Sequence, residues 1–234
     1  KKKTEIQLLY EELENCGSRL MEYKECFQIM GKDRNSYSKT DLEATFMRMK
    51  EDHMGNGQLK PAYNVQIAVE NYFIVDTYVS NDRTDYDTLI PVLEKHKAAL
   101  EISLDAVTAD SGYCSEKNLL YLKESGIESY IKLQDHEKRK TRAWKEDIGK
   151  YYNMTTKIFE DEQYYVCHDG RELRHVRTEK KEQDGYTQTY EVYACEDCSG
   201  CEHKARCLYR YDEAKDADKN KVMKINEQWE ELKA

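Results

Sequence analysis

Between Asn64 and Lys132 the spacing of apolar residues changes repeatedly, and that succession restricts the fold more than any other feature. Val65, Ile67 and Val69 alternate with Asn64, Gln66 and Ala68; after Glu70-Asn71 the alternation resumes at Phe73, Val75, Thr77 and Val79. Period two on both sides of a short turn predicts an antiparallel hairpin with one buried face. Thr84, Asp85 and Asp87 then offer helix N-caps, and Leu89, Val92, Leu93 and His96 mark one helical face. Pro91 is tolerated only near a first turn, which starts this helix close to Asp87. Val107-Thr108-Ala109 reads as a short buried strand ending at Asp110, and Ser111-Gly112 turns the chain. Ser115 can cap a helix with Leu119, Leu120 and Leu122 inward; Gly126 ends it, and Ile127–Lys132 reads as another strand. Strand, helix and strand on short links predict a right-handed parallel crossover, hence an α/β chain.

Upstream, Ile6, Leu9, Leu13, Cys16, Leu20, Tyr23, Phe27 and Met30 recur at alternating gaps of three and four. This is an a/d stripe on an amphipathic helix, with Gly31 as its stop. The simpler expectation is a helix packed on its own domain. The alternative is self-association through residues 6–30, since about four heptads reach the usual minimum for a coiled coil. Lys32–Leu59 is polar, with loop signals at Asn35-Ser36-Tyr37-Ser38 and Gly55-Asn56-Gly57 around a short apolar patch, Ala44–Met49.

Charge and hydropathy exclude several classes. The formal net charge is -9 with 35% charged and 39% hydrophobic residues, and both halves of the chain are acidic overall. A globally basic DNA-binding footprint is therefore absent, and nucleic-acid contact has to be local. No apolar run approaches the ~18 residues of a membrane span, and Lys1-Lys2-Lys3-Thr4 is not followed by an apolar stretch. A cytoplasmic protein without a membrane partner is expected. The sequence starts without Met and reads as an internal piece of a longer chain.

After Lys132 the character changes. Lys138, Arg139, Lys140, Arg142 and Lys145 surround Trp144 with no acid between them. Such a run can contact phosphates and stack on a base; it can equally be a solvated helix face. Tyr164-Tyr165-Val166-Cys167 and Tyr190-Glu191-Val192-Tyr193 suggest small antiparallel strands, and the tail reads as helical near Ile225–Leu232. Of eight cysteines, Cys195, Cys198, Cys201 and Cys207 form C-x2-C-x2-C-x5-C with His203 in the last gap. Without secretory features, thiols or metal ligands are favoured over disulfides. Four thiolates can close a structural Zn2+ site. The spacing is tight, so Cys167 or His203 could replace one of them. Unmetallated thiols and an iron–sulfur cluster are the other readings, the latter weakened by Leu208, where bacterial ferredoxin runs carry Pro.

A carboxylate at the carboxyl end of a parallel strand stands where open α/β sheets place ligands, although an isolated Asp there is often a turn former. Hairpin, helix, strand ending in Asp, helix and strand is the order of a ribonuclease-H-like core lacking its first strand. With Asp41-Leu42-Glu43-Ala44-Thr45-Phe46-Met47, Lys60-Pro61-Ala62-Tyr63-Asn64-Val65-Gln66, Thr108-Ala109-Asp110-Ser111-Gly112-Tyr113 and the downstream cysteine cluster, the chain resembles the DDE transposases of bacterial insertion sequences over most of its length. The resemblance implies a partial ribonuclease-H-like core with an N-terminal amphipathic helix and a small Cys-rich β insert. It implies DNA transposon ends as partner and metal-dependent cleavage and strand transfer. Two Asp and one Glu of such enzymes hold two divalent cations, here Mg2+, and Asp110 matches the second acid. The first Asp has no counterpart, Asp41 falls in a non-catalytic stretch, and the residues flanking Glu227, Glu230 and Glu231 do not match the final-Glu motif. The expectation is a section holding one carboxylate of three and inactive alone, arranged as a helical and loop region (1–59), the partial core (60–132) and the insert with a charged helical tail (133–234). The rival reading is a non-catalytic, zinc-stabilised module that binds DNA or protein through the heptad helix and the basic run.

Overall fold

The computed structural model describes residues 3–32, 34–49, 51–100, 103–183 and 186–233; the opening Lys1 and Lys2 lie outside them. The chain divides into two compact units, Lys1–Asp105 and Ala106–Ala234. It is mixed α/β with small sheets.

The first unit opens with α1 (Glu5–Met30). The Thr4 backbone N–H donates to Gln7 Oε1, and Gly31, at φ 70°, closes the helix by donating to Phe27 O. Positive φ is what a glycine supplies there without steric cost. The Arg34 guanidinium caps the carboxyl end, donating to the carbonyls of Ile29 and Met30 and also to those of Leu42 and Glu43. The stripe read from the sequence is present, but no residue of α1 is buried. The expectation of a helix packed on its own domain is thereby corrected. The segment that follows curls back to the end of the helix through Arg34 and leaves the a/d face bare.

Strand β1 (Thr45–Arg48) pairs antiparallel with β2 (Leu59–Ala62). The sequence pattern offered only an apolar patch between loops there. β3 (Asn64–Glu70) and β4 (Phe73–Ser80) form the expected hairpin, turning through Asn71 and Tyr72, both at positive φ. α2 (Leu89–Leu100) buries Leu89, Val92, Leu93 and His96 and packs on β4.

The buried face of the hairpin is the opposite of the expected one. Val65 and Ile67 are each 56% exposed, whereas Gln66 is 5% and Ser80 7%. Polar bonds decide the orientation. Asn64 Nδ2 and Gln66 Nε2 both donate to Asp85 Oδ1, at 2.8 and 3.0 Å, on the segment entering α2. From α2 itself, Lys95 Nζ reaches Asp76 Oδ1 at 2.6 Å.

In the second unit β5 (Ala106–Ala109) and β6 (Glu128–Ile131) pair in parallel, Ala106 opposite Glu128 and Ala109 opposite Ile131. The helix between them, α3 (Glu116–Glu124), is capped by Ser115, whose hydroxyl accepts from Asn118 N, and stops at Gly126. β5 is half exposed rather than buried, because the sheet has two strands and only α3 to cover it. Two short helices follow, α4 (His136–Lys140) and α5 (Arg142–Lys145). Then β7 (Thr155–Phe159), β8 (Glu162–Val166), β9 (Glu172–Gln183), β10 (Tyr186–Cys195) and β11 (Val222–Ile225) build an antiparallel sheet in the order β11-β10-β9-β8-β7. Its core is Tyr165, Leu173, Tyr193, Cys195, Cys198, Met223 and Ile225, with Tyr151, Met154 and Cys167 packed against it. Tyr165 and Tyr193 meet edge to face at 5.0 Å. Between β10 and β11 lie α6 (Lys204–Cys207) and α7 (Glu213–Asp216), and α8 (Glu227–Leu232) closes the chain. No helix among the described residues is long and apolar enough to cross a membrane.

Candidate functional site

Asp110 stands directly after β5 as its strand position foretells. The carboxylate is exposed, and its Oδ1 accepts the Gly112 N–H at 2.6 Å, capping the 3-10 turn Ser111–Tyr113. Gly112 thus serves the carboxylate by presenting its amide, and Oδ2 carries no hydrogen bond within that turn. One fixed oxygen and one open oxygen on a rigid turn suit a carboxylate that takes a cation from outside the sheet. Among the described residues, no three His, Cys, Asp or Glu side chains gather into a metal site. A two-cation centre therefore does not fit the residues of this chain alone, and no catalytic step is derived for it.

The motif residues around Asp41 and Tyr63 are structural. The Tyr63 hydroxyl donates to both oxygens of Asp41, at 3.0 and 2.9 Å, and that bond raises the tyrosine pKa. Asp41 Oδ1 also accepts from the Glu43 and Ala44 amides. The two stretches become one β1–β2 ribbon with Asp41 as its clasp, while Asn64 and Gln66 converge on Asp85. Sequence reasoning missed Asp85 as the organiser; its spacing marked it only as a cap.

A second missed residue is Glu116. It is 5% exposed, and its Oε2 accepts from Gln188 Nε2 at 2.8 Å and Asn226 Nδ2 at 2.7 Å. Burial and the neighbouring Glu116 carboxylate raise the Tyr186 phenol, whose hydroxyl donates to Gln228 Oε1 at 3.4 Å. Glu116 Oε1 is buried without a hydrogen-bond partner. This carboxylate fastens α3 to β10 and to the start of α8. Its sequence signal was slight: an acid in the first turn of a helix, where the helix dipole already favours one.

The basic run is interleaved with acids that the linear pattern placed outside it. Arg139 pairs with Asp135 at 3.0 Å, Lys140 with Glu137 at 3.3 Å and Arg142 with Glu146 at 2.8 Å. Trp144 stacks on Tyr152 with centroids 4.7 Å apart and planes at 5°, and the Arg139 guanidinium lies 5.9 Å from the indole centroid. One indole face is therefore already covered. Lys138 and Lys145 complete the run on α4 and α5.

Cys195, Cys198 and Cys207 each touch Lys221, two of them through the backbone. Cys195 N donates to Lys221 O at 2.9 Å, Lys221 N donates to Cys198 Sγ at 3.4 Å, and Lys221 Nζ donates to Cys207 O at 3.0 Å. Burial and the neighbouring Cys198 push the Cys195 thiol up to about 11. Burial raises Cys207 as well, against the pull of the Lys221 ammonium. Cys201 is raised by burial and lies beside Asp169. His203 packs edge to face on His168 at 4.7 Å. Gly149 passes so near that a Cβ there would stand 2.5 Å from Cys207 O.

A family model described as "Transposase DDE domain" matches residues 34–195, more than half of the chain, and a second model of the same description matches residues 166–234. The chain belongs to the DDE transposases. Within that family it is of the insertion-sequence type. No curated protein and no solved structure matches it.

Proposed function

We propose that this chain supplies part of the catalytic domain of an enzyme that cleaves and joins transposon-end DNA with divalent cations. Asp110 is one of the acids that hold those cations. The observation that carries this reading is the placement of Asp110: at the carboxyl end of a parallel strand, exposed, with one oxygen fixed by Gly112 and the other open. Hairpin, α2, β5, α3 and β6 are read as a partial ribonuclease-H-like core over residues 60–132, following a helical and loop region and preceding a Cys-rich insert. Mg2+ is the cation such oxygens favour. Lys138, Arg139, Lys140, Arg142, Trp144 and Lys145 are the local DNA contacts, working against the acidic balance of the chain.

Two measurements on the chain as it stands test the reading. With Mn2+ as a paramagnetic stand-in, amide signals of Ser111 and Gly112 broaden first, and Asp110→Ala removes the effect while leaving the circular dichroism unchanged. Broadening that survives Asp110→Ala ends the assignment. The chain alone, with one acid of three, does not nick transposon-end DNA with Mg2+; robust nicking would overturn that part. The thiols of Cys195, Cys198, Cys201 and Cys207 are proposed to hold one structural Zn2+. Binding has to draw them closer than they stand. Elemental analysis of the purified chain decides it, one zinc per chain supporting the site and none removing it.

A further inference from the structure

We propose that a polar cavity in the first unit binds a phosphodiester group of a DNA backbone. The cavity has a volume of about 320 Å³ and is lined by the segment after α1, the start of β1 and the loop from β4 to α2. Lys32, Arg34 and Arg83 bring positive charge to it, Asn35 and Asn81 bring amides, and Thr45 and Thr84 bring hydroxyls. Naming DNA as the source of the diester rests on the transposase reading; the phosphate site itself does not.

The cations point to an anion from outside the chain. Among the described residues none of the three stands within ion-pair distance of a carboxylate, although the chain carries a net charge of -9. In the basic run, by contrast, Arg139, Lys140 and Arg142 are all paired. The charges are also held in place. Arg34 gives its N–H groups to the carbonyls of Ile29, Met30, Leu42 and Glu43, which fixes its charge without neutralising it. Arg83 Nη2 donates to Ser36 Oγ at 2.9 Å, and the rest of its fork has no partner among the described residues. Thr45 is 2% exposed, and its hydroxyl has no hydrogen-bond partner. A buried hydroxyl of that kind calls for a partner that the chain does not supply.

Charge balance and donor chemistry select the ligand. Asp82 and Asp87 line the cavity too, and Asp82 Oδ2 accepts from the Ser80 hydroxyl at 2.6 Å. Two acids against three cations leave one positive charge, which matches the single negative charge of a phosphodiester and falls short of a nucleoside triphosphate. Guanidinium, ammonium, amide and hydroxyl donors together exceed what the two oxygens of a carboxylate take, and suit the several acceptor oxygens of a phosphate. No aromatic ring is among the lining residues, so a base has nothing to stack on.

The test is an NMR titration of the intact 234-residue chain without metal, first with a short DNA duplex and then with inorganic phosphate. The amides of Asn35 and of Asn81, Asp82, Arg83 and Thr84 are expected to shift with the duplex. Lys32→Gln with Arg83→Gln should weaken duplex binding on the order of tenfold or more, the scale of lost charge-assisted hydrogen bonds. The same pair should lower the slope of log affinity against log salt by about two. Lys32 makes no hydrogen bond among the described residues, so Lys32→Gln alone, lowering the slope by about one, serves if the Arg83 variant does not fold. Unmoved amides, or a slope that both variants leave unchanged, would overturn the proposal. Shifts with inorganic phosphate that the duplex fails to reproduce would overturn it as well, by assigning the cavity to a free phosphate. Neither Mn2+ nor Asp110 enters the experiment, so its failure is distinct from failure of the Asp110 assignment.

Discussion

The two units differ in where their most regular apolar patterns end up. In residues 106–234 the strands fold their tyrosines, cysteines and aliphatics onto one another, and Leu173 and Val192 are fully buried. In residues 1–105 the two most regular apolar patterns, the stripe of α1 and the alternation of β3–β4, face solvent. The side chains under α2 include Gln66, Asp76 and Ser80 instead. Periodicity therefore announces that a face is apolar, and says nothing about whether this chain covers it.

The contrast can be broken most forcefully in the second unit. Leu173→Ala is expected to cost ~2–5 kcal/mol, the range for emptying a buried leucine site, measured as a drop in the denaturant midpoint. Ile67→Thr on the exposed hairpin face is expected to stay within about 0.5 kcal/mol. A comparable loss at Ile67 would mean that the hairpin face is covered after all. Glu116→Ala should come next, at ~1–3 kcal/mol, because the Gln188 and Asn226 amides lose a buried acceptor; melting followed at the tyrosines should fall accordingly. Trp144→Ala should cost ~0.5–1.5 kcal/mol through the lost stack on Tyr152, and should weaken binding of transposon-end DNA in a gel shift.

The smallest effect is electrostatic and belongs to the first unit. The hydrogen bond and charge of Lys95 hold Asp76 below the usual carboxylate range, assisted by the Thr77 amide and His96. A carboxyl whose folded pKa is depressed stabilises the fold above its unfolded value of about 4 and loses that contribution as the pH falls through the folded pKa. Acid titration of the hairpin and α2 should therefore show a loss of stability below about pH 4 that Asp76→Asn removes. An unchanged acid limb in that variant would assign the loss to another group.

Much of the architecture was legible locally. α1, the hairpin, α2, β5, α3 and β6 follow from period, cap and stop residues: Ser115 caps where its hydroxyl can reach Asn118 N, and Gly31 and Gly126 stop helices by taking positive φ. The β1–β2 ribbon was not legible. Its strands are four residues each, too short for a period, and the bond between Asp41 and Tyr63 spans 22 positions. The position of Asp110 was legible because a strand end is a local event. The roles of Asp85, Glu116 and Lys221 were not, since each is defined by partners from other elements.

Sequence alone determined the helix stripe, the strand alternation, the acid at the end of β5 and the family to which the chain belongs, because each is written in neighbouring residues and short spacings. Tertiary structure alone decided which hairpin face α2 covers, that Glu116 is enclosed, that the basic run is laced with Asp135, Glu137 and Glu146, and that three cysteines meet at one lysine. Burial and hydrogen bonding depend on what arrives from distant parts of the chain, and a periodic pattern carries no record of it.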